Sequence, residues 1–207
     1  MSANDSIASW KPPVKFLAEL AVVSVGVFLG LLADQWRENH EHRLAAATSL
    51  KYFQREILQN QEAIEQHRGY HQKLAADIRA FTSSPEPKTP QLFQSSTHFR
   101  GVEPVFFEHT GWDLALATQS LAYLDSDLAY AISRVYTRQQ AFQNLEGTAL
   151  QAIYNRASLG DNDAGPMAQI LETYLTDANI QEAAMLDLYR DLLPRLSDSP
   201  SLRPQRH

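Results

Sequence analysis

His67 and His71 stand one helical turn apart. Two imidazoles at that spacing on one helix face can share a metal ion or a haem. A complete site needs further ligands from a facing helix. Glu146 and Asp187 are acidic residues of the right type, but sequence alone does not align them with the histidines. The plainer alternative makes both histidines polar core residues that set helix register, as Asn60 can. No metal site and no cofactor are assigned. A second grouping is aromatic: Trp112, Phe106 and Phe107 can line a ligand pocket, or can form a satellite core beneath a long loop. A third is Glu19, an ionisable side chain inside an apolar run and therefore a functional candidate at membrane depth. Its bland alternative is a carboxylate that snorkels to the surface beside Lys15.

Other chemistry is missing from the chain. It holds no Walker-type phosphate loop, no Gly-x-Gly-x-x-Gly, no His-Glu-x-x-His and no Gly-x-Ser-x-Gly. Asp161-Asn-Asp163 runs into Ala-Gly-Pro and cannot complete a calcium loop. The absence of cysteine excludes disulfides, thiolate metal sites and thiol nucleophiles. A net charge of −6 argues against a nucleic-acid partner, which would need a basic face. These absences lead to the expectation of a non-enzymatic protein.

The elements that would position such residues begin with a membrane span. From 20 to 33 every residue is apolar or small, and Phe16, Leu17 and Ala18 extend the run upstream past Glu19. Trp10 and Trp36 lie outside it, ~39 Å apart on a helix, and read as interfacial anchors. The expected layout is an N-terminal tail over 1–12 and a transmembrane helix over 13–36. A cleaved signal peptide fits less well, because Ala-x-Ala is absent before Asp34 and Glu19 sits inside the stretch. A core helix remains an alternative for so short a run. A helix lying flat on the bilayer would need a polar face, and residues 20–33 have none. Lys11 and Lys15 precede the span, while Arg37 and Arg43 follow it. With the α-amino group counted beside Lys11 and Lys15, the balance favours an N-terminus in the cytoplasm and the bulk of the chain in the periplasm. Gly26-x-x-x-Gly30 is a close-approach pattern for paired helices, and Glu19 shares its face, so Gly26, Gly30 and Glu19 form the expected packing stripe. The alternative is that glycine is simply common in spanning helices.

Glu19, five apolar or small residues to Val25, Gly26, an apolar stretch to Ala33, then Trp36-Arg-Glu38 and a charged helix resemble a family of uncharacterised bacterial single-pass membrane-anchored helical proteins. Its members share a Glu-led span with a central glycine, a Trp-x-Glu exit and a helical remainder. The resemblance covers roughly residues 14–60, and more loosely Gly111-Trp112 through Tyr136. It implies membrane attachment and helical architecture. It brings no activity, and no site residue is carried over from it.

Beyond Trp36 the sequence predicts a helical bundle over 37–194. Residues 37–81 hold no proline and one glycine, Gly69. Leu50, Phe53, Ile57, Asn60, Ile64, His67, His71, Leu74, Ile78 and Phe81 alternate three and four apart, the heptad signature of a long helix with one buried seam. Nothing between Trp36 and Leu50 breaks a helix, so this one can continue from the span. Residues 82–111 carry Pro85, Pro87, Pro90 and Pro104 and read as a long connection with extended pieces, whose phenylalanines fold back on the bundle. Thr110 and Asp113 form an expected capping box for a short helix over 112–124. Asp125-Ser-Asp127 re-caps the chain. A third helix should bury Leu128, Ile132, Val135, Tyr136, Phe142, Leu145, Ala149 and Ile153. The last helix, 167–193, should bury Ile170, Tyr174, Leu175, Ile180, Leu186, Tyr189 and Leu193 and end at Pro194. A disordered tail over 195–207 is expected.

The expected fold class is therefore all-α: an N-terminal transmembrane helix running into a long heptad helix, packed in an antiparallel helical bundle. The expected role is a membrane-anchored scaffold or interaction module that self-associates or docks another envelope protein, in the inner membrane. The alternative is a periplasmic sensory or small-ligand-binding bundle that acts through a partner.

Overall fold

The computed structural model describes residues 14–157 and 162–199; for residues 14–19 and 157 only the backbone is described. The described chain is helical, with no strand among the described residues: α1 (Val14–Ser83), α2 (Pro90–Thr97), α3 (Thr110–Ala117), one 3₁₀ turn (Ser120–Tyr123), α4 (Ser126–Ala157) and α5 (Gly165–Ser197). Two compact units divide at Arg43 and Leu44.

The first unit is the start of α1. Leu20, Val22, Val23, Val25, Val27, Phe28, Leu29, Leu31 and Leu32 are all between 45 % and 72 % exposed. An 18-residue window here has a mean hydropathy of 1.4, and none of it is buried. This helix is long and apolar enough to cross a membrane.

The second unit is a bundle of the rest of α1 with α4 and α5. Leu50, Phe53, Ile57, Asn60, Ile64, His71, Leu74, Ile78 and Phe81 are buried, as the heptad predicts, and His67 is partly buried. The seam of α4 is Leu128, Ile132, Val135, Gln139, Phe142, Glu146, Ala149 and Ile153. That of α5 is Leu171, Leu175, Ala178, Glu182, Met185, Tyr189, Leu192 and Leu196. Both alternate four and three, and both run straight through polar residues.

Cross-contacts fix the directions. Gln54 reaches Ser197, His71 reaches Glu182, and Thr82 reaches Glu172, so α5 runs antiparallel to α1. Glu56 meets Tyr136, and Glu146 lies on the strand of contacts near His71, so α4 runs parallel to α1. The connection between α1 and α4 must therefore retrace α1. It does so: Tyr70 meets Gly101, Asn60 meets Glu108, Glu56 meets Gly111 and Ser49 meets Ser120. Its length follows from topology, since a short turn could only reverse direction.

Several local expectations are corrected. The connection has a short helix, α2, among its extended pieces. Thr89 caps α2 through Leu92 N, and Pro90 sits in its first turn, where a missing N–H costs nothing. The Thr110 capping box does not form: His109 is the cap position, and Asp113 pairs with His109 Nδ1 at 2.7 Å instead. The helix expected over 112–124 breaks at Gln119, which adopts a left-handed φ of 56°. Asp125 caps α4 through Leu128 N, as expected. Pro194 does not end α5. The helix continues to Ser197 because Leu192 and Leu196 are buried on either side of it, and burial outweighs one lost hydrogen bond. Ile180 is 60 % exposed, not buried, because Glu182 holds the inner register. Residues 195–197 are helical, and the rest of the expected tail beyond 199 lies outside the described residues.

Candidate functional site

The polar members of the three seams meet beneath the connection. His71 is fully buried. Its Nδ1 lies 2.5 Å from Glu182 Oε1, and its Nε2 lies 3.0 Å from the Val102 carbonyl and 3.1 Å from the Glu103 carbonyl. With Glu182 a carboxylate all three partners are acceptors, so both ring nitrogens donate and the ring is an imidazolium. Burial works to lower the imidazole's pKa, but the hydrogen bond and charge of Glu182 and the two carbonyls outweigh it and leave it raised. Glu182 is itself fully buried, and its Oε2 has no hydrogen-bond partner among the described residues.

Glu146, on the facing helix, accepts from the Val105 amide at 2.8 Å and from the Tyr174 hydroxyl at 3.2 Å. Burial pushes its carboxyl up to about 7, although both hydrogen bonds and the charge of His71 pull it down. Burial, with Glu146 alongside, holds the Tyr174 hydroxyl in its protonated, donating form.

Two further residues of α1 grip the connection. Asn60 Nδ2 donates to the Glu108 carbonyl and Asn60 Oδ1 accepts from the Glu108 amide, both at 2.8 Å, as a strand partner would. Glu56 accepts from the Gly111 amide and, at 2.7 Å, from the Tyr136 hydroxyl. Gly111 has no room for a side chain: a Cβ there would stand 2.8 Å from Tyr52 Cβ. Tyr70 donates to the Gly101 carbonyl at 2.7 Å and accepts from Arg100 N at 3.1 Å. The connection is thus held by side chains from two helices, and through His71 by a third.

The histidine pair does not form the two-imidazole site that its spacing allows. His67 Nδ1 bonds the Ala63 carbonyl at 2.7 Å, and both His71 nitrogens are engaged. The ring centroids lie 6.2 Å apart. Glu146 does face the His71 cluster, whereas Asp187 is exposed and pairs with Arg190. The polar residue at the centre of α5, Glu182, escapes sequence reasoning. Continuing the four-three spacing through the charge, from Ala178 to Met185, is the signal that finds it.

Trp112 and Phe107 line a cleft of about 490 Å³ with Tyr136, His109, Asp113 and Gln139. The Trp112 ring stacks on Tyr136 at 4.8 Å. Phe106 takes no part; it is 77 % exposed.

In the first unit, a Cβ added at Gly26 or Gly30 would meet nothing within 4 Å. Trp36 is 74 % exposed and stacks on His40. Trp10 and the Glu19 side chain lie outside the described residues. Compared with known proteins, the chain matches no family model, no curated protein and no solved structure.

Proposed function

We propose that this protein is a non-enzymatic helical interaction module anchored in a bacterial inner membrane by residues 13–36, with its bundle in the periplasm. The observation that carries the reading is the apolar start of α1, none of whose 18-residue window is buried. Nine exposed aliphatic and aromatic side chains spread around the helix favour cover by lipid or a partner helix over water. The resemblance to bacterial single-pass helical proteins supports the setting.

Self-association belongs to the same proposal. Gly26 and Gly30 leave open helix surface on one face, which lets a second backbone approach closely. The test has two stages. The chain should stay in the membrane pellet after alkaline carbonate washing, and a phosphatase fused after His207 should be active in an inner-membrane host. Crosslinking in mild detergent should then give oligomers that weaken in the Gly26→Ile, Gly30→Ile double variant. Release by carbonate would end the anchor reading; a wild-type monomer in both detergent and lipid would end self-association alone.

A second reading, a sensory or small-ligand bundle acting through another protein, draws on the cleft beside Trp112. A screen for thermal stabilisation, with Trp112→Ala as control, tests it. A flat screen removes its support.

A further inference from the structure

We propose that residues 100–108 are a pH-gated strap, latched over the groove between α1 and α4 by the doubly protonated ring of His71 and released when that ring loses a proton. This goes beyond the anchoring role and does not depend on it.

The geometry makes the latch conditional on charge. His71 Nε2 faces two backbone carbonyls of the strap, and Nδ1 faces a carboxylate. A neutral imidazole has one donor and one lone pair. Whichever nitrogen lost its hydrogen would then aim a lone pair at buried acceptors, a repulsive contact in place of a hydrogen bond. The strap's backbone is shaped for this one donor. Gly101 has φ 125° and Glu103 has φ 49°, and these left-handed residues flank Val102 so that two successive carbonyls converge on Nε2. A non-glycine residue holds that conformation only where its surroundings impose it.

The groups facing His71 are accounted for on every side. From α5 comes Glu182; from α4, Glu146; from α1 itself, His67 and Tyr70. From the strap come only carbonyls, since the Glu103 side chain turns away to Arg100 at 2.7 Å. Of these, Glu182 is the group whose charge and hydrogen bond favour the cation.

The sign of the switch follows. A histidine whose folded pKa is raised contributes stability that is complete below its unfolded value, near 6.5, and is lost as pH rises through the folded value. The strap is therefore closed in acid and loosens in alkali. On opening, it uncovers the buried Val102, Val105 and Phe107, and the surface of α4 around Phe142 that Phe107 covers.

The experiment is amide hydrogen exchange on the full chain in detergent micelles, corrected for the intrinsic pH dependence of exchange. Protection of the Val105 and Glu108 amides should fall at least about tenfold between about pH 6 and pH 8.5, while α5 amides hold theirs. His71→Gln cannot titrate and should remove the fall at the Glu108 amide, whose partner Asn60 does not ionise, while Glu146 still titrates beside Val105. Glu146→Gln should retain the fall at Glu108, which separates the two ionisable groups. Protection that is flat with pH in the wild type, or a fall of equal size at the Glu108 amide in His71→Gln, overturns the proposal. Should His71→Gln fail to fold, the ring's own nitrogen resonances decide: both nitrogens protonated at about pH 6 is the expected result, and a neutral single-tautomer ring there overturns it.

Discussion

Two stretches of α1 obey opposite rules. Residues 20–33 are apolar all round and exposed; residues 46–81 present one buried seam and an outer face of charge. The first stretch contains no charged side chain, yet it is solvated by nothing in its own unit. The second carries Glu56, Asn60 and His71 into the core, each hydrogen-bonded. A helix face therefore reports what must cover it. Uniform apolarity points outward to lipid or another helix, and a periodic seam points inward to its own chain.

The comparison breaks most sharply at its apolar centre. Phe53→Ala, in the seam, should destabilise the bundle by about 3–5 kcal/mol in chemical denaturation, since Phe53 is fully buried against Trp112 and Tyr136. Leu29→Ala in the first stretch should leave that transition in place. Equal effects would show that both stretches share one core.

Charge comes next. Glu146 has a folded pKa of about 7 against an ordinary 4.5. Its ionisation therefore opposes folding increasingly as pH rises from 4.5 to 7, by up to about 3 kcal/mol. Glu146→Gln keeps an acceptor for the Val105 amide without that cost. Its stability should exceed the wild type's by a margin that grows across this window and then levels off. A constant margin would show that Glu146 does not titrate there.

Gly111→Ala should cost about 1–3 kcal/mol, because its Cβ has Tyr52 in the way. Gly69→Ala, on open helix surface, should be neutral or slightly stabilising by thermal melting. The smallest effect should come from Lys73→Ala. Its 2.8 Å pair with Asp77 is exposed on the lysine side, and such pairs contribute about 0–1 kcal/mol.

Much of the architecture was legible from spacing. The α1 seam from Leu50 to Phe81 could be written down residue by residue, because apolar side chains keep the three-four spacing on both sides of Asn60, His67 and His71. The α5 seam could not. Ala178 and Glu182 occupy inner positions while Ile180 lies outside, so a reading keyed to apolarity takes the wrong phase. Pro194 misled for a related reason, since local propensity stops a helix that buried Leu196 continues.

By itself, then, the sequence determined an all-helical chain with a span-length apolar start, a heptad seam and a proline-rich connection. These are local properties, set by periodicity and by backbone preference. Only the tertiary structure decided what the polar seam residues are for. His71, Glu56 and Glu146 each pair across helices, with Glu182, Tyr136 and Tyr174, and together with Asn60 they also hold the returning connection. Their partners in the connection are backbone groups 31 to 55 residues away, and every residue offers the same amide and carbonyl. Sequence carries no mark of which ones a buried side chain will meet, so that pairing is written only in the path the chain takes.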